Sequence, residues 1–252
     1  MPTLPMNGID VYYESHGAGA ALLLINGLGA DFSLLAPLTG ELARHRRVVV
    51  FDNRGAGRTG KPDQPYSVEL MARDTVGLMD ALGIARADLL GISMGGRIAL
   101  ELALTHPDRV RRLVLVSTSA AGRGKVHMSL PMRLLWLLHW LPGRHGRYPQ
   151  PGYAHRRQRD AAVRYDATAR LDRIHAPTLI LHGRRDRSLP LSMAEQLHAG
   201  IAGSQLAVFR GGHMFAFLSQ RPAFLARVEE FLTDRPVRGS GATPDDSDPV
   251  GT

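Results

Sequence analysis

The chain of 252 residues contains no cysteine. Disulfides and thiolate-ligated metal sites are therefore excluded, and the redox compartment stays open. Lysine is nearly absent. Lys61 and Lys125 are the only two, so arginine supplies almost all of a net charge of +8. A bias of arginine over lysine can follow the base composition of coding DNA, so the total charge does not by itself point to nucleic acid. The chain carries no nucleic-acid-binding module. No stretch approaches the ~18 apolar residues of a membrane span. Met1 to Gly8 lacks the basic and apolar regions of a secretory leader. The expectation is a cytoplasmic protein with no membrane partner. No His, Asp and Glu cluster has metal-ligand spacing, so no metal is expected. There are no internal repeats.

What remains is ordinary for one globular α/β domain: 44% hydrophobic and 21% charged residues. Short apolar runs recur at Ala21–Ile25, Val48–Phe51, Ala87–Ile92, Leu113–Val116, Thr178–Leu181 and Gln205–Phe209. Runs this short, apolar on both faces, predict buried parallel strands. Leu4 to Glu14 predicts a hairpin turning at Asn7-Gly8. Segments with helical period lie between the runs, at Ser67–Leu82, Gly95–Thr105, Leu191–Leu197 and Pro222–Leu232. The alternation predicts βαβ units and a mostly parallel sheet.

The alternation breaks once. Residues 121–169 show no strand pattern and are expected to form a helical cap above the carboxyl ends of the strands. The flanking segments, 1–120 and 170–235, form the core, and 236–252 are expected to be a disordered tail. The cap region holds the charge. Between Arg123 and Arg173 eleven Lys and Arg residues face three Asp, an excess of eight. That distribution suggests an anionic substrate or partner, with a solvated arginine-rich face as the alternative.

Gly91-Ile92-Ser93-Met94-Gly95 matches the G-x-S-x-G nucleophile elbow, with a strand before it and a helix after it. Such a turn pushes the Ser93 hydroxyl out at a helix N-terminus that favours developing negative charge. A hydroxyl needs a base, and the base needs an orienting acid, in the chain order Ser, Asp, His. Asp186 follows the Thr178–Leu181 run and His213 follows the last run. Ser93, Asp186 and His213 are the expected catalytic residues. The competing readings are an ion pair of Asp186 with Arg184, Arg185 or Arg187, and a surface loop histidine at 213. His182 is expected to be structural.

Two backbone N–H groups should hold the oxyanion. Met94, after the nucleophile, supplies one. Leu28, in the Asn26-Gly27-Leu28-Gly29 loop, is expected to supply the other. Asn26, Gly27, Trp136 and Trp140 are candidate substrate-binding residues, with cap packing the simpler role for the tryptophans. The Asp52–Thr59 loop is glycine-rich but matches no phosphate-binding fingerprint. It reads as a structural loop in which Asp52 and Arg54 make local hydrogen bonds.

From about residue 5 to 233 the chain resembles the small α/β-hydrolases. The elbow, Asp52-x-Arg54-Gly55-x-Gly57-x-Thr59 and Pro177-Thr178-Leu179-Ile180-Leu181-His182-Gly183 carry the resemblance. It implies the α/β-hydrolase fold: a mostly parallel sheet of about eight strands, flanked by helices, with a small helical cap and no cofactor. Gly91-x-Ser93-Met94-Gly95-Gly96 is similar to enol-lactonases, arylesterases and cofactor-free perhydrolases. Asn26 stands where most members carry histidine, and enol-lactone hydrolases also use asparagine there. Serine as nucleophile argues against haloalkane dehalogenase chemistry. The expected function is hydrolysis of a small-molecule carboxylic ester or lactone through an acyl-enzyme. Three alternatives share the constellation: a 3-oxoadipate enol-lactonase-like hydrolase of an anionic lactone, a perhydrolase or haloperoxidase, and a ligand receptor on the same fold.

Overall fold

The structure, a computed structural model, describes residues 3–122, 148, 150–213 and 219–233. Trp136, Trp140, the apolar stretch around them and the tail from 236 lie outside the described residues.

Strands β1 (Thr3–Met6) and β2 (Ile9–His16) form the expected hairpin. Asn7 and Gly8 both take positive φ, 48° and 75°. A two-residue turn that follows the right-handed strand twist needs both. The runs become β3 (Ala21–Ile25), β4 (Arg47–Phe51), β5 (Ala87–Ile92), β6 (Val110–Val116), β7 (Thr178–Gly183) and β8 (Gln205–Phe209). They assemble into one eight-stranded sheet in the order β1-β2-β4-β3-β5-β6-β7-β8. The β1–β2 and β2–β4 pairs are antiparallel, and the other five are parallel.

Six α-helices are described: α1 (Ala36–Leu42), α2 (Val68–Ala81), α3 (Met94–Thr105), α4 (Gly152–Arg164), α5 (Leu191–Gly200) and α6 (Arg221–Leu232). Successive strand residues point to opposite faces, and both faces are buried. Leu23, Ile25, Val49, Phe51 and Leu89 pack towards α2, α3 and α5. Leu22, Leu24, Val48, Val50 and Leu90 pack towards α1 and α6. That sandwich explains why the strand sequences show no polar alternation.

Two elements depart from the sequence reading. Helix α1, with the 3-10 turn Phe32–Leu35 before it, was not expected. Leu35, Leu38 and Leu42 form its buried stripe, but it is seven residues long, has Pro37 in its first turn and contains Gly40. Strand β6 begins at Val110, three residues before its apolar run. Arg111 lies in this added start and donates from Nε to the buried carboxylate of Asp88, 2.8 Å from Oδ1.

The segment between β6 and β7 closes on itself at its base. Gly122 N–H donates to Tyr165 O at 2.7 Å and Ala167 N–H to Ala120 O at 2.9 Å. The buried guanidinium of Arg97 on α3 clamps this base, donating to Ala162 O and Ser119 Oγ, each at 2.8 Å. Burial pulls Arg97 down to about 10, against a smaller opposing effect of Tyr165.

Candidate active site

Ser93 sits between β5 and α3 with φ 55° and ψ −116°. That conformation is rare for a residue with a Cβ and costs about 1–3 kcal/mol. The surroundings enforce it. Ser93 N–H donates to Val116 O at 2.9 Å, and its carbonyl accepts from Gly96 N–H at 3.0 Å and Thr118 Oγ1 at 2.6 Å. At Gly95, a Cβ would run into the carbonyl oxygen of Ile25, so α3 reaches this close to β3 only with glycine there.

His213 and Asp186 come from loops after β8 and β7, and backbone bonds zip these loops together. Arg184 N–H donates to Phe209 O at 2.8 Å and Arg185 N–H to Gly211 O at 2.9 Å. Ser117, after β6, holds His213 O through its hydroxyl at 2.8 Å. The result is a continuous chain of hydrogen bonds. His213 Nε2 lies 3.0 Å from Ser93 Oγ, and Nδ1 lies 2.6 Å from Asp186 Oδ2. A carboxylate offers only lone pairs, so Nδ1 carries the hydrogen and Nε2 is left to accept from the Ser93 hydroxyl.

Asp186 is buried, and its other oxygen accepts from Ser188 N–H at 2.9 Å and Leu189 N–H at 2.8 Å. These bonds, rather than an ion pair with Arg184, Arg185 or Arg187, hold it among the described residues. His182 is buried at the end of β7, with Nε2 2.8 Å from Leu189 O, so it braces the same loop.

The Asn26–Ala30 loop lies against Ser93. A Cβ on Gly27 would stand 3.3 Å from the Ser93 Cβ. Ala30 N–H reaches Gly27 O at 3.4 Å, and Gly29 has φ 72°. This is a type II turn, whose third position needs glycine, and the Leu28 N–H takes no part in closing it. Met94 is the first residue of α3, where an N–H has no acceptor within the helix. Asn26 is buried. Its carbonyl accepts from Asn53 Nδ2 at 2.9 Å, and its own Nδ2 has no partner among the described residues.

The Asp52–Thr59 loop supports this arrangement from below. Asp52 accepts from Phe32 N–H at 2.7 Å and Arg58 N–H at 2.8 Å. Burial pushes its carboxyl up to about 6, against the pull of those two N–H groups and with a smaller push from Asp31. The Arg58 guanidinium lies over the rings of Tyr12, Phe32 and Tyr148, at 3.2, 4.8 and 4.3 Å from their centroids. Arg54 is paired through two bonds with Asp74 of α2, Nε to Oδ2 and Nη2 to Oδ1, both 2.8 Å.

Sequence reasoning passed over Gln158. It is fully buried on α4, and its amide meets Gly29 N–H at 3.0 Å and Arg54 O at 2.7 Å. The available signal was its spacing. Ala154, Ala161 and Ala162, three or four positions away, form the same buried face in an otherwise charged helix. Among the described residues no group of His, Asp and Glu could hold a metal. An open groove of about 400 Å³ between α2 and α4, lined by Tyr66, Glu69, Arg73, Arg164 and Tyr165, contains none of the residues around Ser93.

Fold and site together define a hydrolase-type scaffold, and comparison with known proteins names its family. The sequence model for the alpha/beta hydrolase fold matches residues 20–165. The chain belongs to the α/β-hydrolase superfamily and is one of its hydrolases. A protein of Azorhizobium caulinodans that bears the provisional name carbamate hydrolase RutD is 31% identical over 245 residues, which cover 86% of this chain and 92% of that protein. The 2-hydroxymuconate semialdehyde hydrolase of a Pseudomonas species is 32% identical over 268 residues, covering 90% and 92%. The crystal structure of the enol-lactonase from Burkholderia xenovorans superposes with a TM-score of 0.81 at 29% identity, covering 92% and 100%.

Proposed function

We propose that the protein hydrolyses a carboxylic ester or lactone through an acyl-enzyme on Ser93, with His213 as base and Asp186 as the orienting acid. The observation that carries this reading is the pair of bonds at His213, 3.0 Å to Ser93 Oγ and 2.6 Å to Asp186 Oδ2. As Ser93 Oγ attacks the carbonyl carbon, its proton passes to His213 Nε2. The carbonyl electrons move onto oxygen, and the N–H groups of Leu28 and Met94 hold that oxyanion. Asp186 stabilises the imidazolium. Collapse breaks the bond to the leaving oxygen, which takes the proton from Nε2. Water, deprotonated by the same nitrogen, then releases the acid and restores Ser93. Asn26 and Gly27 border the substrate, and α4 serves as part of a cap over the site.

An anionic enol-lactone is the narrower second reading, favoured by the likeness to an enol-lactonase structure and by asparagine at position 26. Rates on neutral nitrophenyl esters, an anionic enol-lactone, a carbamate and a meta-cleavage product, measured side by side, separate the substrate classes. The mechanism is tested by Ser93→Ala. Turnover falls by about 10⁴-fold or more and the acylation burst disappears, while the fold is kept. Full turnover in that variant rejects the scheme.

A further inference from the structure

Gln158 is fully buried in a helix remote in sequence from Ser93, yet each polar atom of its amide is used. Oε1 accepts from Gly29 N–H and from Gln150 Nε2, both at 3.0 Å. Nε2 donates to Arg54 O at 2.7 Å. Gln150 Nε2 continues the bridge to Gly55 O at 2.8 Å. One glutamine thus joins α4, the Asn26–Ala30 loop and the Asp52–Thr59 loop.

The bond to Gly29 falls on a weak point. The turn of Gly27 to Ala30 closes through a bond of 3.4 Å, near the outer limit of a hydrogen bond. The Gly29 N–H belongs to the central peptide of that turn. Rotating this peptide converts a type II turn into a type I turn, and glycine at Gly29 tolerates both. Gln158 grips this N–H at 3.0 Å. It thereby holds in one orientation the peptide next to Leu28, whose N–H is the donor in the proposed oxyanion hole.

We infer that Gln158 is a positioning residue for transition-state stabilisation, acting through Gly29 on the Leu28 N–H. Its hydrogen bonds among the described residues go to Gly29, Arg54 and Gln150, not to Ser93 or His213. The inference rests on the acyl-transfer reading above. It predicts that losing the amide weakens binding of the tetrahedral state more than binding of substrate.

The experiment compares wild type, Ser93→Ala, Gln158→Met and Gln158→Glu on a nitrophenyl ester, with a trifluoromethyl ketone as mimic of the tetrahedral state. Gln158→Met keeps the volume and removes the hydrogen bonds. Its kcat falls about 10- to 100-fold, part of the loss known for deleting a whole oxyanion donor. KM stays within about threefold, and affinity for the ketone falls in step with kcat/KM. The acid limb of its pH profile keeps the wild-type midpoint. A kcat within twofold of wild type, or a loss carried by KM alone, overturns the role of Gln158. If that variant does not fold, Gln158→Glu decides. A neutral carboxyl can replace both bonds, while its ionised form faces the Arg54 carbonyl without a donor. Activity relative to wild type is then about fivefold or more higher at pH 6 than at pH 9, and a ratio flat in pH overturns the inference. Turnover in Ser93→Ala brings down the acyl-transfer reading and Gln158 with it. An inactive Ser93→Ala beside a fully active Gln158→Met brings down Gln158 alone.

Discussion

Asp52 carries the clearest pH signature among single residues. Its carboxyl is fully buried and has moved from 3.8 up to about 6. A carboxyl that holds its proton more tightly in the folded state stabilises the fold below its unfolded value. That stabilisation is lost as pH rises through the folded value. The rise of the carboxyl to about 6 corresponds to about 3 kcal/mol. Asp52→Asn cannot lose a proton and lacks this component. The difference in unfolding free energy, wild type minus variant, therefore shrinks by about 1–3 kcal/mol between pH 4 and pH 7. Urea titrations at the two pH values measure it, and an unchanged difference refutes the account. The loss matters beyond stability, because Asp52 holds the N–H of Phe32 just after the Asn26–Ala30 loop.

At the scale of elements, the buried pair of Arg54 and Asp74 ties α2 to the loop after β4. Side-chain exposure is 0% for Arg54 and 5% for Asp74. Asn7 joins the pair, donating from Nδ2 to Asp74 Oδ1 at 3.0 Å and accepting at its carbonyl from Arg54 Nη2 at 3.1 Å. Asp74→Ala strands the guanidinium without a counter-charge and costs about 3–5 kcal/mol. The double replacement Arg54→Met with Asp74→Leu costs far less, because both charges leave together. Denaturant midpoints of the single and double variants test this. Equal destabilisation by the two would show that the ion pair is not what joins these elements. Ser67 caps the same helix, its Oγ accepting from Leu70 N–H at 3.1 Å, which is why the start of α2 could be read from sequence.

For the whole molecule, charge is the open variable. The excess of eight positive charges between Arg123 and Arg173 equals the net charge of the entire chain. A field from that segment would draw anionic substrates and be screened by salt, with a Debye length of about 30 Å at 0.01 M and 3 Å at 1 M. The expected outcome is that kcat/KM for a carboxylate-bearing ester falls several-fold from 0.01 M to 0.5 M salt, while a neutral ester of the same acyl chain changes little. Identical salt dependence would mean that the arginines form a solvated face unrelated to the substrate.

Sequence alone determined the features that depend on local chemistry. The apolar runs became β3 and β5 without a change of boundary, because strands buried on both faces have no polar positions to blur them. Asn7-Gly8 declared its turn, and Ser93, Asp186 and His213, which hydrogen bonds join in the structure, stood out as candidates because each lies just beyond a strand end. Asp74 falls on the buried stripe of α2 by its spacing, but only the approach of Arg54 explains a carboxylate there. The spacing of Gln158 marks it as buried on α4 but does not name its partners, for the same reason. Its three partners, Gly29, Arg54 and Gln150, are separated from it by 129, 104 and 8 positions. Helix and strand periods report which face is buried, but they do not report which polar group waits on the other side. That pairing arises only when distant segments pack, so tertiary structure alone decided how the loop beside Ser93 is held.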